Sequence, residues 1–337
     1  MKFFVTAILV CLYAHSILEA AKGDEFTEDI FVEETIEPWF TGPLLTPSGS
    51  VVPVGYINIE PYLFETFTYG YYDSHWNKKK TQTLNNLNSS NLIEVGVTEW
   101  MDILFTVNGF WNERAHITSI RFGDLPVGVD IQLLSQQEKS WWPAIKLGIR
   151  ETLPLGKYDQ LNPQKLGTDI SGEGTYATGV GLVCSRMIWF RGVHFLSLRF
   201  SAGYQVFTDV HVRGLNAYGG GYGTCGKIAL GNQLLFSTAF EYSFTRNIAL
   251  ACDIVYQHTA KNSFKGKNGF LPSGLPATNK APSSEVFSIA PALEYNWSEA
   301  WGVIAGCWFT IAGRNSNAFA SGVIALNYYG ALGKKKS

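Results

Sequence analysis

The strongest constraint on the fold is a strict alternation of side chains in residues 231–258. Two runs of about ten residues alternate with period two around the polar break Thr245-Arg246-Asn247, which is typical of an antiparallel hairpin. Strands of soluble proteins average about five or six residues, whereas a tilted strand needs about 9–11 residues to cross a bilayer. One face of the hairpin is large and apolar, and the other is small and polar. This pattern favours a membrane β-barrel; a long hairpin of a soluble β-sandwich is the alternative.

Further alternating runs extend this pattern over most of the chain. They occupy residues 54–69, 91–98, 102–111, 127–136, 143–153, 174–184, 193–207, 285–297, 301–311 and 318–329. With the two runs of the hairpin, they make twelve runs when counted along the chain. Connections after even-numbered runs are short, whereas those after most odd-numbered runs are long and polar. Outer-membrane barrels show this asymmetry, and a β-sandwich gives no reason for it. We therefore predict an all-β fold, a transmembrane antiparallel up-and-down β-barrel of about 12 strands with short periplasmic turns and longer outer loops.

The two ends of the chain differ from the predicted barrel, residues 51–329. Residues 1–21 begin with a basic residue, continue with an apolar stretch and end in small residues, which predicts a signal peptide. An uncleaved anchor is the alternative. Residues 22–50 are acidic and then rich in Pro and Gly, a composition that stays extended unless it docks. Three interpretations are open for this segment: a periplasmic tail, a plug that enters the barrel lumen, or a partner-binding segment. Residues 330–337 form a basic tail.

Composition and motifs exclude several function classes. The formal net charge is −2, whereas a nucleic-acid binder shows a basic face, so no nucleic-acid partner is expected. HExxH, GxSxG and P-loop motifs are absent from the sequence, so we expect neither an enzyme nor a cofactor. A Ser–His pair on the barrel exterior is the enzymatic alternative, with His194 and His258 as candidates. No CxxC pair or metal-ligand spacing occurs, which predicts no metal site and free thiols at Cys184, Cys225, Cys252 and Cys307.

Several turn and strand-start motifs resemble one family of outer-membrane barrels. They are FGDLP at 122–126, PAIKLG at 143–148, LPLG at 153–156, EYSFTR at 241–246 and, upstream, WFTGPLLTP at 39–47. Together they resemble the transporter-like barrels of the "MetA-pathway of phenol degradation" family over residues 56–329. The resemblance implies an outer-membrane channel for small hydrophobic or aromatic compounds. The chain departs from such barrels at its end, because Tyr328-Tyr329 is followed by eight residues that include Lys334, Lys335 and Lys336.

If the apolar face meets lipid, a set of charged residues of both signs points into the barrel. These residues are Glu60, Asp130, Lys146, Arg150, Arg199, Glu241, Asp253 and Glu294. Opposed charges in a lumen either form a structural polar network or line a path whose charges set selectivity, and both interpretations remain open. The predicted function is an outer-membrane channel for passive uptake of small solutes, and a plugged structural or surface-adhesion barrel is the alternative.

Outer-membrane lipid is the expected environment of the barrel, and a small-molecule solute is its expected ligand. Basic loop tips predict contact with lipopolysaccharide, with solvated loop charge as the simpler account. The lysines concerned are Lys78, Lys79, Lys80, Lys261, Lys265 and Lys267.

Overall fold

The computed structural model describes residues 37–137 and 140–333. The predicted signal peptide, the acidic stretch before residue 37 and the last four residues lie outside the described residues. The described part of the chain contains no helix long and apolar enough to span a membrane.

Sixteen strands and one short 3₁₀ helix, Pro163–Lys165, make up the regular structure of the described residues. The strands are β1 (Tyr56–Tyr72), β2 (Lys78–Thr98), β3 (Met101–Arg114), β4 (Ile117–Phe122), β5 (Leu125–Leu134), β6 (Ala144–Leu153), β7 (Ala177–Arg191), β8 (His194–Phe207), β9 (Val210–Arg213), β10 (Cys225–Ala229), β11 (Gln233–Ser243), β12 (Ile248–Thr259), β13 (Ser263–Lys267), β14 (Ser284–Asn296), β15 (Trp301–Arg314) and β16 (Ser316–Ala331).

Twelve of these strands close into an antiparallel barrel, which confirms the predicted fold class. β1 pairs with β2 on one side and with β16 on the other, and the sheet continues from β16 back to β2 through β3. Tyr56 lies opposite Ala331 at the closing seam. Closure satisfies the backbone hydrogen-bonding groups of the first and last strands, so the barrel leaves no long edge exposed. The interior of a barrel of about 12 strands is wider than that of a packed eight-stranded barrel and narrower than that of a porin.

The hairpin that opened the analysis shows how the sequence alternation becomes two faces. Glu241 and Ala239 on β11 and Asp253 on β12 are buried inside the barrel, and Asp253 lies opposite Ala239. Phe240 lies between the two β11 residues and is exposed on the outer wall, as is Ile254 next to Asp253. The period of two therefore separates an apolar outer wall from a polar interior, as it does in membrane barrels.

The second strand is much longer than predicted. The alternating run covered residues 91–98, but β2 begins at Lys78, so the predicted outer loop is mostly strand. Both faces of its loop-side half are polar, and this half therefore shows no alternation of apolar and polar side chains. Its backbone is ordered by its neighbours, since Ser89 lies opposite both Leu63 of β1 and Gly109 of β3. Tertiary pairing here outweighs local sequence preference.

Four short strands were also not predicted: β4, which pairs with β3 at the edge of the barrel sheet, and three strands in the outer loops. β9, β10 and β13 form a separate small sheet outside the barrel wall. Val210, Val212, Ile228 and Phe264 form its buried apolar core. These strands are only four or five residues long and lie in Gly-rich segments, so the sequence shows too few alternating positions to reveal them. Cys184, Cys225, Cys252 and Cys307 are free thiols within the described residues, as predicted.

Aromatic side chains contact one another at the end of the barrel with the short turns. Trp301 stacks on Trp297 with ring centroids 6.3 Å apart and lies at a tilt to Tyr328, 4.7 Å away. Tyr56 stacks on Tyr329 at 5.4 Å. Amphipathic rings at one level of a barrel are typical of the boundary between hydrocarbon and water. We call this end the turn side and the opposite end the loop side.

The outer wall generates a first prediction. Ile254 lies near the middle of β12 with 48% of its side chain exposed on the outer face. In phospholipid vesicles, Ile254→Arg is expected to lower the free energy of unfolding by about 2–4 kcal/mol, because the charge enters hydrocarbon. Urea titration of the vesicle-bound protein measures this change. Tyr222→Arg, in an exposed outer loop, is the matched control, and equal effects of the two substitutions would contradict a lipid-facing wall.

Candidate functional site

The interior of the barrel is occupied by residues 39–53, here called the lumen segment. Trp39 starts the segment at the turn side, where its backbone N–H donates to the Arg246 carbonyl at 2.9 Å. The Arg246 guanidinium lies over the Trp39 ring, 4.3 Å from its centroid. The segment reaches Asp253 in the middle of β12 and returns to the start of β3 before β1 begins. It therefore fills the turn-side half of the lumen as a loop.

Buried carboxylates of the wall accept hydrogen bonds from backbone N–H groups of the lumen segment. The pairs are Thr41 with Glu294 at 2.8 Å, Thr46 with Asp253 at 2.8 Å and Val52 with Asp102 at 2.7 Å. None of these three carboxylates forms an ion pair within the described residues. A buried charge without partners is costly, and the segment lowers this cost by donating to one oxygen of each carboxylate. The other oxygens, Asp102 Oδ1, Asp253 Oδ2 and Glu294 Oε1, have no hydrogen-bond partner within the described residues.

Two wall amides complete this set of polar contacts. The Gln132 amide accepts from the Val51 N–H at 2.8 Å and donates to the Gly49 carbonyl at 2.9 Å. Asn296 donates to the Trp39 carbonyl at 2.8 Å and accepts from the Thr41 hydroxyl, also at 2.8 Å. An amide both donates and accepts hydrogen bonds. These two side chains can therefore bond to both the N–H and the C=O groups of the lumen segment.

Arg199 joins the wall to the segment. Its guanidinium pairs with the buried Glu241 carboxylate at 2.8 Å and donates to the Thr46 carbonyl at 3.4 Å. Gly42 has φ +109°, and a Cβ there would lie 3.2 Å from Arg199 Nη1. Glycine at this position therefore permits both the backbone turn and the close approach of the guanidinium.

Asp130 anchors a second charge cluster on β5 and β6. Its carboxylate pairs with Lys146 at 2.7 Å and with Arg150 at 2.5 Å. Asp130 and Lys146 are buried, whereas Arg150 keeps 31% of its side chain exposed. Arg150 is therefore the member of this cluster that retains accessible surface.

Glu60 belongs to a third polar group near the closing seam. Its carboxylate accepts from the Asn58 and Asn327 amides at 2.9 Å and 3.0 Å and from the Tyr62 hydroxyl at 2.9 Å. The Asn58 amide also donates to Glu94 at 2.8 Å. All eight residues that the sequence predicted to point inward thus contact other groups of the interior. Their proposed part in solute selectivity stays a prediction.

Some interior residues of this site were not in the predicted set. Asp102 is fully buried at the start of β3, between the outward Met101 and Ile103. Alternation along β3 places Asp102 on the inner face with Leu104, so this signal was available in the sequence. Gln132 and Asn296 carry no comparable signal, because an amide is common on either face of a strand.

An apolar contact supplements the polar ones. Leu44 of the lumen segment is 4% exposed and packs against small and branched residues of the wall. These are Ala251, Ala290, Ala292, Ile304, Val323 and Ala325. Small inward side chains on β12, β14 and β16 leave the space that the leucine fills.

At least two cavities lie inside the described part of the barrel. A cavity of about 560 Å³ borders the lumen segment and is lined by Glu60, Lys146 and Arg199 among others. A second cavity of about 450 Å³ lies towards the loop side. Thr106 lines the first cavity, and Asn108, the next inward residue of β3, lines the second. The two cavities therefore follow one another along the lumen.

The enzymatic alternative receives no geometric support at the two candidate histidines. His194 Nδ1 lies 3.3 Å from the Tyr242 hydroxyl and 3.2 Å from the Ser243 carbonyl oxygen. His258 Nδ1 lies 3.7 Å from the Glu285 carboxylate. Within the described residues neither ring contacts a serine hydroxyl, which a Ser–His mechanism would require.

Comparison with known proteins supports the architecture. No protein-family model matches the chain, and no curated protein matches it. Among solved structures, an outer-membrane channel from Pseudomonas putida F1 has a TM-score of 0.66 at 11% identity, covering 86% of this chain and 100% of that chain. This likeness shows that the two proteins share a barrel fold.

Other solved barrels superimpose less well. The translocator domain of the autotransporter NalP from Neisseria meningitidis has a TM-score of 0.40 at 10% identity, covering 81% of this chain and 88% of that chain. The toluene transporter TodX from P. putida has a TM-score of 0.35 at 10% identity, covering 88% and 96%. Scores this low do not bear on the function of this chain.

The Arg199–Glu241 pair generates a second prediction. Arg199→Met leaves the buried Glu241 carboxylate without its cation and removes the contact to Thr46, so stability should fall by about 3–5 kcal/mol. Urea unfolding of the refolded protein measures the loss. The double variant Arg199→Met, Glu241→Leu should recover most of it, because position 241 then no longer carries an unpaired charge.

Lys261→Met is the control for this measurement, since Lys261 is exposed in an outer loop and should change stability by less than about 0.5 kcal/mol. A loss at Arg199 no larger than that of the control would show that the pair does not stabilise the folded protein.

Proposed function

We propose that this protein is an outer-membrane channel for the passive uptake of small solutes, whose lumen segment restricts the path. The observation that carries the proposal is the way the segment is held. Backbone N–H groups of residues 41–52 occupy wall carboxylates that have no cationic partner. Water can replace such donors. The segment can therefore leave the wall, because water would then form hydrogen bonds with the carboxylates that it had contacted.

The two successive cavities support the same proposal. They provide space on both sides of the barrel's midpoint, whereas a solid structural plug would leave none. Charged side chains of both signs border the turn-side cavity, among them Glu60, Lys146 and Arg199. Displacement of the segment would expose these groups to the path, where they would set ion selectivity.

Location and solute class form the finer part of the proposal. The apolar outer wall and the aromatic residues at the turn side suit an outer membrane. The predicted signal peptide would direct the chain there. Lipopolysaccharide would then face basic residues of the loop side. Of those predicted to lie at loop tips, Lys79 lies in β2 and Lys265 in β13, and both are exposed. The resemblance to the "MetA-pathway of phenol degradation" family extends the proposal to small hydrophobic or aromatic solutes.

A plugged structural or adhesive barrel is the second candidate. The observation in its favour is the number of contacts that hold the lumen segment, together with the buried Leu44. The two candidates differ in one respect that can be measured, because only a channel requires the segment to move.

A covalent lock tests whether movement of the segment opens the channel. A Cβ at Gly49 would lie 3.0 Å from the Ser185 Cβ and 2.7 Å from the Ser185 backbone N. Disulfides need a Cβ–Cβ spacing of about 3.5–4.5 Å, so a disulfide here requires the segment to move back from β7 by about 1 Å. In a background whose native cysteines are replaced by serine, Gly49→Cys with Ser185→Cys should abolish single-channel openings in planar bilayers when oxidised. Reduction should restore them. Gly49→Cys alone is the control and should not respond to redox conditions.

Removal of residues 24–50 provides the complementary measurement. This variant should conduct more than the full chain, because it lacks all of the lumen segment except residues 51–53. Openings that persist in the oxidised lock would show that solutes bypass the segment. Heat-modifiable mobility on gels shows whether each variant is folded. If both the full chain and the shortened chain are folded and neither conducts, the channel proposal is wrong and the structural candidate takes its place.

A further inference from the structure

The loop between β6 and β7 folds back over the loop-side cavity and is fixed by Asp124. Asp124 Oδ1 accepts from the Gly156 N–H at 2.8 Å, and Oδ2 accepts from the Glu173 N–H at 2.8 Å. A side chain at residue 172 would clash with Asp124. Both carboxylate oxygens of Asp124 therefore serve to position the loop.

Glu173 is held at its backbone from two sides. Its N–H donates to Asp124, and its carbonyl accepts from the Tyr218 hydroxyl at 2.5 Å. Gly174, the next residue, has φ +69° and lies against the Tyr158 ring, where a side chain would clash. The loop thus fixes the position of the Glu173 backbone at the cavity.

The Glu173 carboxylate itself forms no hydrogen bond or ion pair within the described residues. It lines the cavity and keeps accessible surface there. The surrounding protein, and after it the negative charge of Asp124, raise the pKa of the Glu173 carboxyl above its ordinary value. An ammonium group in the cavity would relieve both effects, because it compensates the charge that the site otherwise leaves unpaired.

The rest of the lining combines apolar rings with uncharged polar groups. Phe110 and Phe207 supply the rings, and Gln205 and Gln233 lie opposite one another on β8 and β11. The described lining contains two carboxylates and no Lys, Arg or His. Its charge disfavours anions, and its rings favour a solute with a flat apolar part.

We propose that the loop-side cavity binds small organic cations, with their ammonium group on the Glu173 carboxylate and their apolar part against Phe110 and Phe207. This inference rests on the proposed channel function, since it names the solute class that the outer mouth accepts. Asp124 is a positioning residue in this site, because its oxygens are already occupied by backbone donors. A volume of about 450 Å³ accommodates a molecule the size of a substituted benzene ring.

Isothermal titration calorimetry of the full chain, folded in detergent, tests the proposal without requiring conduction. Phenethylammonium is the probe, and phenylacetate and 2-phenylethanol are its anionic and neutral counterparts of similar size. We expect one phenethylammonium to bind per chain, at least tenfold weaker binding by Glu173→Gln, and no measurable binding of phenylacetate. Phe207→Ala should weaken binding several-fold and keep the preference for the cation.

Asp209→Asn is the matched control. Asp209 is a loop carboxylate that pairs with Lys227 at 2.7 Å outside the cavity lining, and its replacement should leave the affinity unchanged. The proposal is overturned if phenethylammonium does not bind, if Glu173→Gln binds it as tightly as the natural protein, or if 2-phenylethanol binds equally well. Because calorimetry detects binding in a closed barrel, a silent bilayer with intact cation binding would refute the channel and leave the site standing.

Discussion

Three buried carboxylates without cationic partners dominate the interior of this barrel. Asp102, Asp253 and Glu294 are placed on different strands by the closure of the sheet, and each needs hydrogen-bond donors that the wall does not provide. The backbone of the lumen segment donates to one oxygen of each carboxylate. A backbone N–H requires no particular side chain, so the segment can be short and rich in Pro, Gly and Thr. The position of the segment, the division of the lumen into two cavities and the restriction of the path all depend on this interaction.

The charge pairs of the wall differ from these carboxylates in kind. Asp130 with Lys146 and Arg150, and Glu241 with Arg199, are neutralised within the wall and persist whether or not the segment is present. They stabilise the interior of the barrel, and Arg199 also contacts the segment. The lumen thus combines fixed ion pairs with carboxylates whose partners can be exchanged for water. The proposed movement of the segment would break only contacts of the second kind and would leave the ion pairs in place.

Much of the fold could be predicted from the sequence, because strand alternation is a local property. The twelve barrel strands follow from runs such as β11 and β12, in which every second residue is apolar. The loop-side half of β2 escaped prediction because both of its faces are polar, and only pairing with β1 and β3 makes it a strand. The small outer sheet escaped because its strands are too short to show a period. The inward position of Glu241 and Asp253 followed from alternation, whereas their partners did not.

The sequence by itself determined the number of barrel strands, the two faces of each strand and the composition of the interior, because a period of two acts between neighbouring residues. Only the tertiary structure decided which groups meet inside. Thr41 and Glu294 are separated by 253 positions along the chain, and no local pattern records such a distance. Asp124 and Glu173 are separated by 49 positions, and folding of the β6–β7 loop brings them together. Closure of the sheet sets the positions of the inward side chains. These positions determine which residues contact each other, and the sequence alone does not.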